Sequence, residues 1–202
     1  MRRVASAVLP PVHSADMRIP RVATDEQRGW CEDSMIPDLF WIPGPWTGRL
    51  AIAARPRGGD WLDEETAGWC RAGLDVVVSL LEEEEAAELD LAHEEQAATS
   101  AGIRFVRFPI ADRGVPASRQ AALALLKEIV EALGDGKNVA VHCRQGLGRS
   151  SLIAAGALAA AGMSAARAIE VVSAARGQSV PETAAQRRWV HQLLPERLPK
   201  AV

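Results

Sequence analysis

The chain has 202 residues, 48% of them hydrophobic and 24% charged, with a formal net charge of −3. That is enough apolar material for one buried core, so a single domain is expected rather than two. The slightly acidic balance excludes the broad basic surface that nucleic acid or an anionic membrane would attract, and any positive field must be local. Cys31, Cys70 and Cys143 are too widely spaced for a Cys-x-x-Cys pair. Neither a disulfide framework nor a zinc site is expected, and a reducing cytoplasm fits best. The opening Met1-Arg-Arg-Val-Ala-Ser-Ala-Val-Leu9 has the charge of a signal peptide. Pro10 and Pro11 cut its apolar run below the roughly 7–15 residues such a segment needs, and no later run approaches the ~20 apolar residues of a membrane span. Arginine far outnumbers lysine and alanine is abundant, a compositional hint of a bacterial source. These bounds predict a cytoplasmic monomer with no cofactor or metal and no nucleic-acid or membrane partner.

Residues 1–36 carry Pro10, Pro11 and Pro20 among mixed charges with little periodicity, and read as an irregular arm before a folded domain over 37–196. Leu39–Ile42 and Arg49–Ala54 flank a Pro- and Gly-rich turn, predicting an antiparallel edge pair. Asp60–Ala72 has helical spacing, and Leu74–Leu81 is apolar and β-branched enough for a buried strand. The run Glu82–Glu85 opens an acidic helix that continues to about Ser100, and four glutamates suit the positive end of its dipole. A strand is expected over Ile103–Phe108, a loop through Asp112–Pro116, and a helix over Ser118–Leu133 ended by Gly134-Asp135-Gly136. A strand at Asn138–His142 follows, then helices at about Arg149–Ala161, Ser164–Ala175 and Pro181–Leu194. The alanine-rich stretch Ala154–Ala166 suits close helix packing.

Strands alternating with helices predict an α/β fold: a mostly parallel central sheet of four to five strands with helices on both faces. Chemistry in such sheets lies beyond the carboxyl ends of the strands. Asp112 follows one strand and Cys143 another, so they belong on the same edge. Asp135 precedes its strand, which puts it roughly 16 Å away on the opposite edge at ~3.3 Å per residue; it is a turn residue.

The most informative segment is Val139-Ala-Val-His-Cys-Arg-Gln-Gly-Leu-Gly-Arg-Ser-Ser151. Read as strand, loop and helix, it aims backbone N–H groups and a helix N-terminus at one point beside a thiol and a guanidinium. A free thiol with pKa about 8.5 is mostly protonated at neutral pH and must be acidified before it attacks phosphorus. The amides of Arg144, Gln145, Gly146, Leu147, Gly148 and Arg149, the helix dipole and the fixed charge of Arg149 all favour a thiolate at Cys143. The same donors suit phosphoryl oxygens, and the planar fork of Arg149 can make two parallel hydrogen bonds. Gly146 and Gly148 allow amides to converge where a side chain would intrude. Ser150 can donate to the sulfur, and His142 either fixes the cysteine backbone or adds positive character.

His142-Cys143-x5-Arg149-Ser150 resembles the signature of the cysteine-dependent protein tyrosine and dual-specificity phosphatase superfamily. Gly146-Leu-Gly-Arg-Ser150 and Pro109-Ile-Ala-Asp-x-Gly-Val-Pro116 look most like its kinase-associated (cyclin-dependent kinase inhibitor 3-like) branch, over about residues 38–194. The resemblance implies that Cys143 is a nucleophile forming a phosphocysteine, that Arg149 binds phosphate, and that Asp112 is first general acid and then general base. It implies that Gln186, in Pro181-Glu-Thr-Ala-Ala-Gln186, positions the hydrolytic water, although a helix-start glutamine is also plain surface. Arg113 departs from the small residue expected beside the acid, and either steers acidic substrates or faces water.

The absence of tyrosine removes the ring with which tyrosine-specific relatives flank their substrate, so phosphoserine and phosphothreonine become candidates. The expected partner is a phosphorylated protein or a small phosphomonoester. Inositol phosphates rank lower, because the loop has one cation, Arg144, before Arg149. A rhodanese-like sulfurtransferase is the runner-up, against which stand the longer loop and the idle Asp112. A phosphopeptide-binding module without turnover would usually lack one of Cys143, Arg149, Ser150 or Asp112.

Overall fold

The computed structural model describes residues 37–193. The expected arm over 1–36, Cys31 and the last residues of the expected domain lie outside the described residues. The strands are β1 (Leu39–Ile42), β2 (Leu50–Ala53), β3 (Val76–Ser79), β4 (Arg104–Arg107) and β5 (Val139–His142). Between and after them run α1 (Leu62–Arg71), α2 (Glu83–Glu88), α3 (Glu94–Ser100), α4 (Arg119–Gly134), α5 (Arg149–Ala160), α6 (Ala165–Arg176) and α7 (Ala184–Leu193). The five strands form one sheet in the order β1-β2-β5-β3-β4, antiparallel at the β1–β2 edge and parallel elsewhere.

Burial on both faces explains why β2, β3 and β5 read as nearly continuous apolar runs. Alternation along the strands divides their side chains between two layers. Leu50, Ile52, Val76, Val78, Val139 and Val141 face the layer built by α4 to α7. Ala51, Val77 and Ala140 face Trp69 of α1 and Ala98 of α3. Helix α5 is buried from Arg149 through Ala159, and its small residues let neighbours approach closely: a Cβ on Gly156 would lie 3.1 Å from Leu126.

Two expectations are corrected. The acidic helix expected over Glu82–Ser100 is two helices, because Asp90 turns left-handed (φ 56°) and the Leu91 N–H returns to the Ala86 carbonyl at 2.7 Å. The reversal buries Leu91 with Leu62, Leu81 and Ala97, which a continuous helix could not do. Helix α7 starts at Ala184 rather than Pro181: Thr183 Oγ1 accepts the Gln186 N–H at 3.1 Å, and Gln186 Oε1 accepts the Thr183 N–H at 3.2 Å. That reciprocal pair is a capping box.

Candidate active site

Strand β5, at the centre of the sheet, ends at His142 and delivers Cys143 to its carboxyl edge. The chain then turns through 144–148 into α5. Gly146 takes a φ of +69°, and a Cβ there would lie 2.7 Å from the Ala53 carbonyl oxygen, so both its conformation and its packing call for glycine. Gly148 caps α5 without a side-chain hydrogen bond, leaving the first-turn amides unclaimed by side chains. Cys143 is 3% exposed, and its Sγ lies 3.4 Å from Ser150 Oγ. Above the sulfur is a cavity of about 160 Å³ lined by Cys143, Arg144, Gln145, Leu147, Gly148 and Arg149, with Asp112, Arg113 and Glu182 completing its wall.

Asp112 reaches this wall from the loop after β4. A turn closed by the Gly114 N–H on the Ala111 carbonyl at 2.8 Å presents it, with Arg113 left-handed at φ 57°. Asp112 is 64% exposed, and its Oδ1 stands 3.1 Å from Arg149 Nη2. Asp135 caps the far end of α4, on the opposite edge of the sheet as expected.

Arg149 is 2% exposed and held from several sides. Its Nη1 and Nη2 donate to the two oxygens of Glu85 at 2.5 and 2.9 Å, and Nη1 also donates to the Ile110 carbonyl at 3.0 Å. This two-pronged bond is the partner that sequence reasoning missed, since Glu85 reads there as one of four acids at a helix start. The bond to Arg149 is the main cause that holds the Glu85 carboxyl below the usual carboxylate range, against the opposing effect of its own burial. Burial disfavours charge on Arg149, but the Glu85 bond and the neighbouring Cys143 and Asp112 outweigh it and raise its pKa.

Glu85→Gln is therefore expected to cost about 3 kcal/mol near neutral pH, because it leaves a buried guanidinium short of an anion. A group with a depressed folded pKa stabilises above its unfolded pKa and loses that contribution as pH falls through the folded value. Urea titrations of both proteins should show a difference that is full at neutral pH and closes in acid; a difference independent of pH would refute the assignment.

His142 is fully buried and faces away from the cavity, with Nε2 2.9 Å from Glu94 Oε1. Gln186 is buried too, not plain surface: its Nε2 donates to the Gly114 carbonyl at 3.0 Å, tying α7 to the Asp112 turn, and it packs behind Gly148 rather than lining the cavity. Glu182, to which the sequence reading assigned no role, stands in the wall. The signal that could have found Glu182 is its place in the Pro181–Gln186 segment. Among the described residues no cluster of three His, Cys, Asp or Glu side chains could hold a metal ion, and no helix is long and apolar enough to cross a membrane.

A cysteine at the end of a central parallel strand, an arginine six residues on at a helix start and an anion-sized cavity above them define a cysteine-dependent phosphatase. Residues 53–163 match the family model described as "Polymorphic toxin system, DSP-PTPase phosphatase", and the chain belongs to that family. A search of the curated proteins finds no match. Among solved structures, kinase associated phosphatase (KAP) with its catalytic cysteine changed to serine superposes with a TM-score of 0.72 at 20% identity, covering 79% of this chain and 95% of that one. Tk-PTP in its active form matches at 29% identity and a TM-score of 0.64, over 79% of this chain and 97% of that one. PTPMT1 in complex with PI(5)P matches at 19% identity and 0.61, over 76% and 94%. The chain is a phosphatase of the dual-specificity type, with the sheet and helical layers of that fold.

Proposed function

We propose that the protein hydrolyses phosphomonoesters on serine, threonine or tyrosine side chains of proteins, in two steps through a phosphocysteine. One observation carries the reading: the Cys143 sulfur forms the floor of a cavity whose wall holds Asp112 from a separate loop. In the first step the Cys143 thiolate attacks phosphorus, the S–P bond forms as the O–P bond breaks, and Asp112 protonates the departing oxygen. Arg149 and the amides of 144–149 hold the three equatorial oxygens, where charge develops. In the second step Asp112 takes a proton from water, the water oxygen attacks phosphorus, and the thiolate leaves with Ser150 donating to the sulfur. Gln186 packs between Gly148 and the Asp112 turn, a place from which it orients both and, through them, the water. The role of His142 is to fix the cysteine from behind.

The cavity is far smaller than the 300–1,000 Å³ typical of pockets that enclose a whole ligand, which suits a phosphate head presented by a larger body. A cytoplasmic monomer acting without metal or cofactor in a bacterium completes the reading. A second reading, hydrolysis of inositol or other small phosphates, is favoured by Arg113 and Arg144 in the same wall. Phosphate release from phosphoserine, phosphothreonine and phosphotyrosine peptides, measured beside inositol phosphates, separates them. The protein-substrate reading predicts higher kcat/KM on peptides and unaltered rates in a chelator. Higher kcat/KM on inositol phosphates would overturn it.

A further inference from the structure

We propose that Glu94 is a positioning residue for Cys143: through its pair with His142 it keeps a cation fixed behind the nucleophile. This rests on the reading of Cys143 as nucleophile and adds a residue from the opposite layer of the fold. Because side chains alternate along β5, His142 points to the α1–α3 side of the sheet while the following cysteine opens to the cavity. Its neighbours across the sheet are Ala53 on β2 and Ser79 on β3. Trp69 of α1 covers the imidazole at 5.8 Å between ring centroids. Glu94 enters from α3, 2% exposed. Its Oε1 is 2.9 Å from His142 Nε2 but off the N–H direction, so the contact is electrostatic more than a linear hydrogen bond, and its Oε2 accepts from Ser79 Oγ at 3.3 Å. The next acid on the helix, Glu95, turns outward toward Arg107 at 3.8 Å.

Apolar side chains of this layer include Ala51, Val77, Ala98, Ile103 and Ala140. Burying a carboxylate among such groups costs several kcal/mol unless it meets a cation or donors. The ionisable group that faces the Glu94 carboxylate is His142, whose Nδ1 has no hydrogen-bond partner among the described residues. In the resulting pair the positive end is the one covalently joined to Cys143 and the negative end lies a layer deeper. Its field therefore adds to that of the α5 N-terminus and stabilises negative charge on sulfur.

Glu94→Gln keeps the volume and the hydrogen-bonding reach while removing the charge. Alkylation of Cys143 by iodoacetamide, followed by mass spectrometry across about pH 5 to 8, reads the thiolate directly. The expected result is about tenfold slower labelling at the acid end, an upward move of about one unit in the midpoint, and a fall in kcat with KM little changed. If Glu94 acts through His142, the double variant with His142→Asn labels like His142→Asn alone. An unchanged labelling profile in Glu94→Gln, whatever its thermal midpoint, or additive effects in the double variant, overturns the proposal. Should the variants fail to fold, the ring ¹⁵N shifts of His142 in the wild-type protein decide: an imidazolium at neutral pH supports the pair, and a neutral ring refutes it. Labelling and NMR need no turnover, so failure of this proposal is distinguishable from failure of the phosphatase mechanism.

Discussion

Cys143→Ser is expected to reduce phosphate release by about 10⁴-fold or more, because a hydroxyl without a neighbouring base is a poor nucleophile at any pH the enzyme tolerates. Ser150 offers no such base, and the proposed mechanism uses Asp112 as an acid in the same step. The substitution replaces sulfur by a smaller oxygen and leaves the 144–149 amides, Arg149 and its bond to Glu85 in place. Ligand affinity should therefore survive the loss of chemistry. Single-turnover phosphate release together with calorimetric titration of a phosphopeptide checks both halves. Residual turnover within tenfold of wild type would remove Cys143 from the mechanism; loss of binding together with turnover would instead mean that the loop had collapsed.

Asp112→Ala is expected to lower kcat by on the order of 10²–10⁴, the usual worth of a positioned general acid. The effect should be largest for alkyl phosphates such as phosphoserine, whose alkoxide leaves badly without a proton, and smallest for aryl phosphates. The geometry of the free protein adds a detail. Asp112 Oδ1 sits 3.1 Å from Arg149 Nη2, on the guanidinium that a phosphate must also use. An incoming phosphate is expected to compete for that contact and to free the carboxyl to face the leaving oxygen. Activity should then follow a bell-shaped pH profile on the acid side of neutrality, and the limb that reports the acid should vanish in Asp112→Ala. Equal turnover of phosphoserine peptide by wild type and variant would exclude the role.

The central sheet, its parallel order with one antiparallel edge, and the Cys143 loop followed by α5 were all legible in the residues. Each depends on short-range regularities: apolar runs for strands buried on both faces, glycines where amides must converge, and a serine or threonine where a helix begins. Asp112 could be brought to Cys143 from sequence because topology alone puts the ends of parallel strands on one edge. Gln186 was half legible, since its segment pointed to the site, whereas its burial behind Gly148 followed from the capping box that delays α7.

Glu85 and Glu94 were not legible as anything but solvated helix acids. They lie within one acidic stretch whose composition and periodicity suit an ordinary exposed helix, and nothing local distinguishes them from Glu83, Glu84 or Glu95. What separates them is the left-handed turn at Asp90, which ends one helix and starts another so that Leu91 can be buried. Across that break Glu85 meets the Arg149 guanidinium at the cavity and Glu94 meets the His142 imidazole behind β5. By itself, then, the sequence determined the fold class and the strand, loop and helix that carry Cys143 and Arg149, because these are written in contiguous residues. Tertiary structure alone decided which acids are buried against Arg149 and His142, because such pairing depends on where distant segments pack and not on any local pattern.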